Sequence, residues 1–226
     1  MGYFTKETFE YLENLALNND RQWFEANREN YERYVREPAL DFIADMGDAM
    51  ESFAPHFMPL AKKIGGSLMR VQRDTRFSRD KSPYKTNIGI HIRHEVGKDV
   101  HAPGYYLHIE PGACFAGVGI WHPDPDTLFR IRSFIVENPE KWLKSRDDED
   151  FCKHFRIEGD SLANPPRGFE KEHPLVEDLK RKDFTAMNAL DDMDAISKNL
   201  LQDVAKKFRS ASPFMSFLCG SLGIRF

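Results

Sequence analysis

Between Arg70 and Lys85 the chain gathers six cations, Arg70, Arg73, Arg76, Arg79, Lys81 and Lys85, against two acids, Asp74 and Asp80. The segment is therefore +4 in a chain whose formal net charge is −4, and everything else sums to −8. Such a concentration calls for an anionic ligand or for internal acidic partners. Guanidinium forks match phosphate and carboxylate bidentately, so Arg70, Arg73, Arg76, Lys81 and Lys85 are candidate contacts for a small anionic ligand. The competing reading is a clasp, in which Asp74 and Asp80 pin Arg73, Arg76 or Lys81 into a fixed surface loop. Nucleic acid is a third reading, since Phe77 and Tyr84 could stack bases amid the cations. The acidic remainder and a pI near 6.1 argue against it, and both aromatics serve equally well as anchors tucking the loop into the core.

A second constellation lies just downstream. Ile88, Ile90 and Ile92 alternate with Gly89, His91 and Arg93; Tyr105, Leu107 and Ile109 alternate with Tyr106, His108 and Glu110. After Pro111-Gly112, Cys114, Ala116, Val118 and Ile120 alternate with Phe115, Gly117, Gly119 and Trp121. Period two marks half-buried antiparallel strands. One face is aliphatic, and the other collects His91, Arg93, Tyr106, His108, Glu110, Phe115 and Trp121 over a floor of Gly117 and Gly119. Pairing Ile90 with Ile109 sets His91 against His108 and, through the Pro-Gly turn, Tyr106 against Gly117. His91 and His108 are the acid/base candidates if the protein is an enzyme, and Tyr106 joins the ligand contacts. A metal at His91, His108 and Glu110 is the weaker reading beside hydrogen-bonded histidines, because nearby arginines oppose a cation; no metal or cofactor is expected.

Familiar catalytic signatures are missing. Lys81-Ser82 lacks the upstream glycines of a phosphate loop, Gly117-x-Gly119 continues to His122 inside a strand, and no G-x-S-x-G elbow occurs. His91 and His94 would point to opposite faces of a strand.

The flanks read as helices. Thr5 caps the first, with Phe4 and Phe9 as a staple; Asn18-Asn19-Asp20 ends it and caps the next, and Pro38 begins a third. Ser67–Arg73 reads as a further strand, with Met69 and Val71 inward. Helices return from Asp124, with short ones around Trp142 and Phe151–Phe155, and residues 164–168 form a long connection. Asp191 or Asp194 starts a last long helix, and Pro213 a terminal one. Eighteen Phe supply apolar bulk. No apolar run is long enough to span a membrane, the start lacks a signal-peptide layout, and three scattered cysteines suit a reducing, cytoplasmic setting.

Asn18-Asn19-x-Arg21-x-Trp23-Phe24, Gly65-Gly66-Ser67, Arg73-Asp74-x-Arg76-Phe77-Ser78-x-Asp80-Lys81-x-Pro83-Tyr84-Lys85, Gly104-Tyr105-Tyr106 and Gly117-x-Gly119-x-Trp121 resemble domain of unknown function 2461, a widespread family of bacterial and fungal conserved hypothetical proteins. The similarity runs nearly end to end, including Pro166-Arg167-Gly168-Phe169 and His173-Pro174-Leu175. It implies a single-domain cytoplasmic protein and, as the family lacks an agreed activity, transfers no catalytic residue. The expectation is one α+β domain over residues 1–226, an antiparallel sheet of about four to six strands packed with N- and C-terminal helices. Its expected function is to bind, or act on, a small phosphate- or carboxylate-bearing ligand at the basic loop beside the polar sheet face. The alternative is a non-catalytic scaffold whose loop is an Arg-Asp clasp.

Overall fold

The computed structural model describes residues 2–76, 78–97 and 102–226. Thr5, in extended conformation, precedes α1 (Lys6–Leu17), and its N–H donates to Thr8 Oγ1 at 3.0 Å. Phe4 is wholly buried beside it. Asp20 caps α2 (Arg21–Ala26), accepting the Trp23 N–H at 2.9 Å, as a short acidic cap should.

Pro38 falls in the first turn of its own α-helix, as expected, but that helix does not begin from a loop. The chain is already helical through α3 (Arg28–Tyr31) and a π-helical turn (Glu32–Arg36), and runs on as α4 (Glu37–Glu51). Proline inside a helix removes a donor and clashes with the carbonyl four residues back, which here belongs to Tyr34. The wide turn makes room, and the Thr8 hydroxyl donates to that Tyr34 carbonyl at 2.8 Å. Position-38 chemistry is thus accommodated by a residue on another helix, a relation that local sequence does not display.

Six strands form one antiparallel sheet: β1 (Phe57–Met58), β2 (Ile88–His94), β3 (Gly104–Ile109), β4 (Phe115–Ile120), β5 (Arg156–Glu158) and β6 (Phe184–Ala189), in the order β1-β2-β3-β4-β6-β5. The aliphatic face is as expected, with Ile88, Ile90, Ile92, Tyr105, Leu107 and Ile109 all buried. The β3–β4 register also matches, Tyr106 lying opposite Gly117. The β2–β3 register is displaced by two residues: Ile90 pairs with Leu107, and His91 faces Tyr106 instead of His108. A shift of two preserves which side chains share a face, so the polar face survives but its pairs change.

The expected strand at 67–73 is reduced to isolated bridges, Leu68 with Ile90 and Gln72 with Tyr84. Its first part covers the outer edge of β2 beside β1, and its second forms a narrow ribbon with 83–85, closed by Arg73 N–H to Pro83 O and Lys85 N–H to Val71 O. Tyr84 anchors this ribbon, stacked on Phe24 at 4.1 Å and 15°. The matching anchor expected of Phe77 lies outside the described residues. β5 and β6 were not anticipated.

The helices α5 (Pro125–Glu137), α6 (Pro139–Arg146), α7 (Glu149–His154) and α8 (Val176–Leu179) follow the sheet's central strands. The expected last long helix is divided into α9 (Asp192–Ala195) and α10 (Leu200–Ser210), followed by α11 (Ser212–Ser221). α4 and α10 pack together, α4 touches β2 and α11 touches β4. Tyr105 meets Phe208 of α10 at 4.8 Å, and Trp142 of α6 meets Phe184 of β6 and Phe217 of α11. Buried residues from both halves of the chain make one apolar cluster, the largest stabilising contribution in a fold of this kind. With these helices on the aliphatic face, the opposite face is left to the site. No helix among the described residues is long and apolar enough to cross a membrane.

Candidate functional site

The polar face is laid out in rows set by register. Gly89, His108, Phe115 and Ala189 form one row; His91, Tyr106, Gly117 and Met187 the next; Arg93, Gly104, Gly119 and Thr185 the third. Glycines at Gly104, Gly117 and Gly119 hollow the middle of the sheet, and a cavity of about 280 Å³ opens above them. Its walls are Met69, His91, Tyr106, Phe115, Trp121 and Met187. Met69, expected inward, faces this cavity because its residue pairs with Gly89, its N–H bonding the Gly89 carbonyl at 2.8 Å.

Close approach limits what can stand at Gly89, in the first row, and at Gly119. A Cβ on Gly89 would stand 2.8 Å from the Tyr106 hydroxyl, which crosses diagonally over that position. Gly119 has φ +116, and a Cβ there would lie 2.0 Å from the Phe184 carbonyl oxygen of β6. No other residue type fits the second position without parting β4 from β6.

Over Gly89 the Tyr106 hydroxyl reaches His108 Nδ1 at 3.1 Å, and His108 Nε2 lies 3.0 Å from Glu110 Oε2. The Thr86 hydroxyl donates to the other Glu110 oxygen at 2.8 Å, and Asn87 Nδ2 approaches His108 Nδ1 at 3.3 Å. Phe115 stacks on the imidazole at 4.7 Å and 12°. A carboxylate only accepts, so Nε2 carries the proton toward Glu110 and Nδ1 accepts from Tyr106. Burial, reinforced by the Glu110 charge, pushes the Tyr106 phenol up to about 12. Of the two acid/base candidates, His91 lines the cavity whereas His108 stands behind Tyr106 and under Phe115. Among the described residues no three His, Cys, Asp or Glu side chains are grouped to hold a metal ion.

The basic segment is a separate structure. Arg73 pairs with Asp80, Arg76 holds Asp74 through Nε and Nη2 at 2.9 and 2.7 Å, and Lys81 Nζ donates to the Thr75 carbonyl at 2.8 Å. Contacts with Arg76 lower the Asp74 carboxyl to about 2. Ser82 N–H and hydroxyl both bond Asp80 Oδ1, and with the Arg73 pair they hold that carboxyl far below its usual range. These are surface pairs, the Arg76 side chain being 77% exposed. Arg70 and Lys85 differ. They sit at the ribbon's root, next to Met69 and Thr86 of the site, and neither makes an ion pair among the described residues. Burial, then the neighbouring Arg70 charge, lowers the Lys85 ammonium.

Several site residues escaped sequence reading. Thr86 and Asn87 precede an obvious strand, and Thr185 and Met187 belong to unanticipated β6. His122 and Asp183 form a further pair at the end of the sheet. Asp183, 4% exposed, accepts from the His122 N–H at 2.7 Å and lies 3.1 Å from its Nδ1, while His122 takes a left-handed backbone at φ 48. A Trp-His step after a strand is the only signal for it.

No curated protein and no solved structure matches this chain. The match that does exist spans residues 7–217, nearly the whole sequence that builds the sheet, cavity and ribbon, and by it the chain belongs to the family described as Conserved hypothetical protein (DUF2461).

Proposed function

We propose that this protein binds a small anionic ligand, phosphate- or carboxylate-bearing, in the cavity over Gly104, Gly117 and Gly119, within the cytoplasm. The observation that carries the reading is a concave, largely apolar pocket with a few convergent polar groups, the usual form of a small-molecule site; Arg70, which directly follows its Met69, and Lys85 make no ion pair among the described residues. Phe115, Trp121, Met69 and Met187 suit a flat apolar body, and Tyr106 and His91 its polar edge. Arg70 and Lys85 are the anion contacts best placed to respond, since a bound anion would offset both the burial of Lys85 and its repulsion by Arg70. Arg73, Arg76 and Lys81 must exchange an existing partner before meeting a ligand; their role is to hold the tip in shape. Three unbridged cysteines fit the proposed compartment.

The pairs Arg73–Asp80 and Arg76–Asp74 favour a second reading, the non-catalytic scaffold with an internal clasp. A thermal-shift panel of phosphate- and carboxylate-bearing metabolites separates the two. Ligand binding raises the midpoint, and the rise should vanish in Arg70→Ala and Lys85→Ala while persisting in Arg76→Ala. A rise untouched by the first two substitutions would remove the anion from this place. A flat panel, with Arg76→Ala strongly destabilising, would install the clasp.

A further inference from the structure

Resting on the cavity being the ligand site, we infer that Tyr106 is a proton-transfer residue, with His108 and Glu110 as positioning residues behind it, acting on a planar ligand with a weakly acidic hydroxyl. The geometry is an unbroken line of hydrogen bonds: Tyr106 hydroxyl to His108 Nδ1 at 3.1 Å, Nε2 to Glu110 at 3.0 Å, Thr86 to Glu110 at 2.8 Å. The first member lines the cavity and the others do not.

Each structural detail serves that line. Gly89 leaves the diagonal path open for the phenol. Phe115 covers one face of the imidazole and fixes its plane. Thr86 orients the carboxylate so that its second oxygen meets Nε2. With the Tyr106 proton directed into His108, the phenol oxygen accepts from Asn87, and its second lone pair is the acceptor this reading assigns to the ligand. A tyrosine serving only to pack the face would not need a carboxylate-oriented imidazole behind it.

The step balances without any further reactant. The ligand hydroxyl gives its proton to Tyr106 Oη as the phenol's own proton passes to His108 Nδ1. The ligand leaves the step as an oxyanion and His108 as an imidazolium bonded to the Glu110 carboxylate, and nothing is oxidised or reduced. The titratable groups around the phenol are His91 from β2, with ring centres 6.4 Å apart, and His108 and Glu110 from β3. Among the described residues, β4 and β6 bring uncharged groups to the cavity, Phe115, Thr185 and Met187, with Trp121 beyond the end of β4.

Para-nitrophenol, flat and coloured only when ionised, is the probe. Titrated with the full chain, it should bind in competition with the cavity and turn yellow at least about one pH unit below the free dye. In His108→Gln and Glu110→Gln that displacement should collapse with binding retained, and Tyr106→Phe should abolish it too. A bound dye ionising as it does in water, or displaced equally in the His108 and Glu110 variants, overturns the relay while leaving the cavity reading intact. Failure of the dye to bind at millimolar concentration, or binding unaffected by Trp121→Ala and Met187→Ala, overturns the cavity and the relay together. Circular dichroism of each variant separates loss of the relay from loss of the fold. Should Tyr106→Phe not fold, the two glutamine variants decide alone.

Discussion

The basic tip at 74–82 and the hollow on the sheet face stand a few residues apart and are built on opposite plans. The tip is dense in charge and short in range: its ion pairs among the described residues join positions at most seven apart, Arg73 to Asp80 being the widest. The hollow holds few charges, and its walls come from β2, β3, β4, β6 and the 67–69 edge, although the Tyr106–His108–Glu110 bonds behind it run along one strand. Charge density marks where cations were placed. Convergence marks where a ligand can be enclosed, and here the two differ.

That contrast can be broken most forcefully at Gly119. Gly119→Ala adds a left-handed strain and an overlap with the Phe184 carbonyl, and should cost roughly 2–5 kcal/mol in chemical denaturation. A loss under about 1 kcal/mol would mean that β4 and β6 are not so tightly joined. Next comes the root of the tip. Asn19 holds both backbone groups of Tyr84, at 3.0 Å each, and Asn19→Ala leaves buried polar groups unmade, about 1–3 kcal/mol. The same substitution made at the tip, Arg76→Ala, should leave the unfolding midpoint unchanged within error, because its pair with Asp74 is open to solvent. A large loss there would reverse the contrast.

The hollow has a signature in alkali. Tyr106 ionises later folded than unfolded, so its contribution is present below the ordinary tyrosine value near 10 and lost as pH rises toward about 12. Tyr106→Phe should shallow the fall of stability over that window by one group's worth, other buried tyrosines keeping the remainder. An unchanged slope would place the phenol in water. The smallest expected effect is none at all: fluorescence anisotropy at about 150 mM salt should detect no binding of a mixed-sequence single strand, since the tip's charges are largely neutralised by their own neighbours. Micromolar binding abolished by Arg76→Glu would put nucleic acid first.

What the chain discloses by inspection follows the same division. β2, β3 and β4 announce themselves because isoleucine, leucine and valine alternate with polar residues over a half-buried surface. β6, Phe-Thr-Ala-Met-Asn-Ala, is central and buried from Phe184 through Ala186; its small residues carry no alternation to read. Tyr106, His108 and Glu110 were legible as one face, and the bonds that link them run along that one stretch of chain; what the β2–β3 register decides is the residue across from them, Gly89 lying opposite His108 under the Tyr106 hydroxyl. The His122–Asp183 pair, sixty-one residues apart in sequence, could not be inferred without β6.

The wide turn at Glu32–Arg36 has an angular consequence. Tyr31, Val35, Ala39 and Ile43 are all buried, each four residues after the last. Four residues of ordinary α-helix advance about 400°, so such a series drifts about 40° per step and roughly 120° over three. A straight helix would therefore wind this stripe a third of the way around its axis, carrying one end off the core. The single extra residue taken up by the π turn returns nearly one residue's rotation, about 100°. Phase lost to a four-residue repeat is recovered in one place, beside a proline, and a helix of two dozen residues keeps one side to the protein throughout.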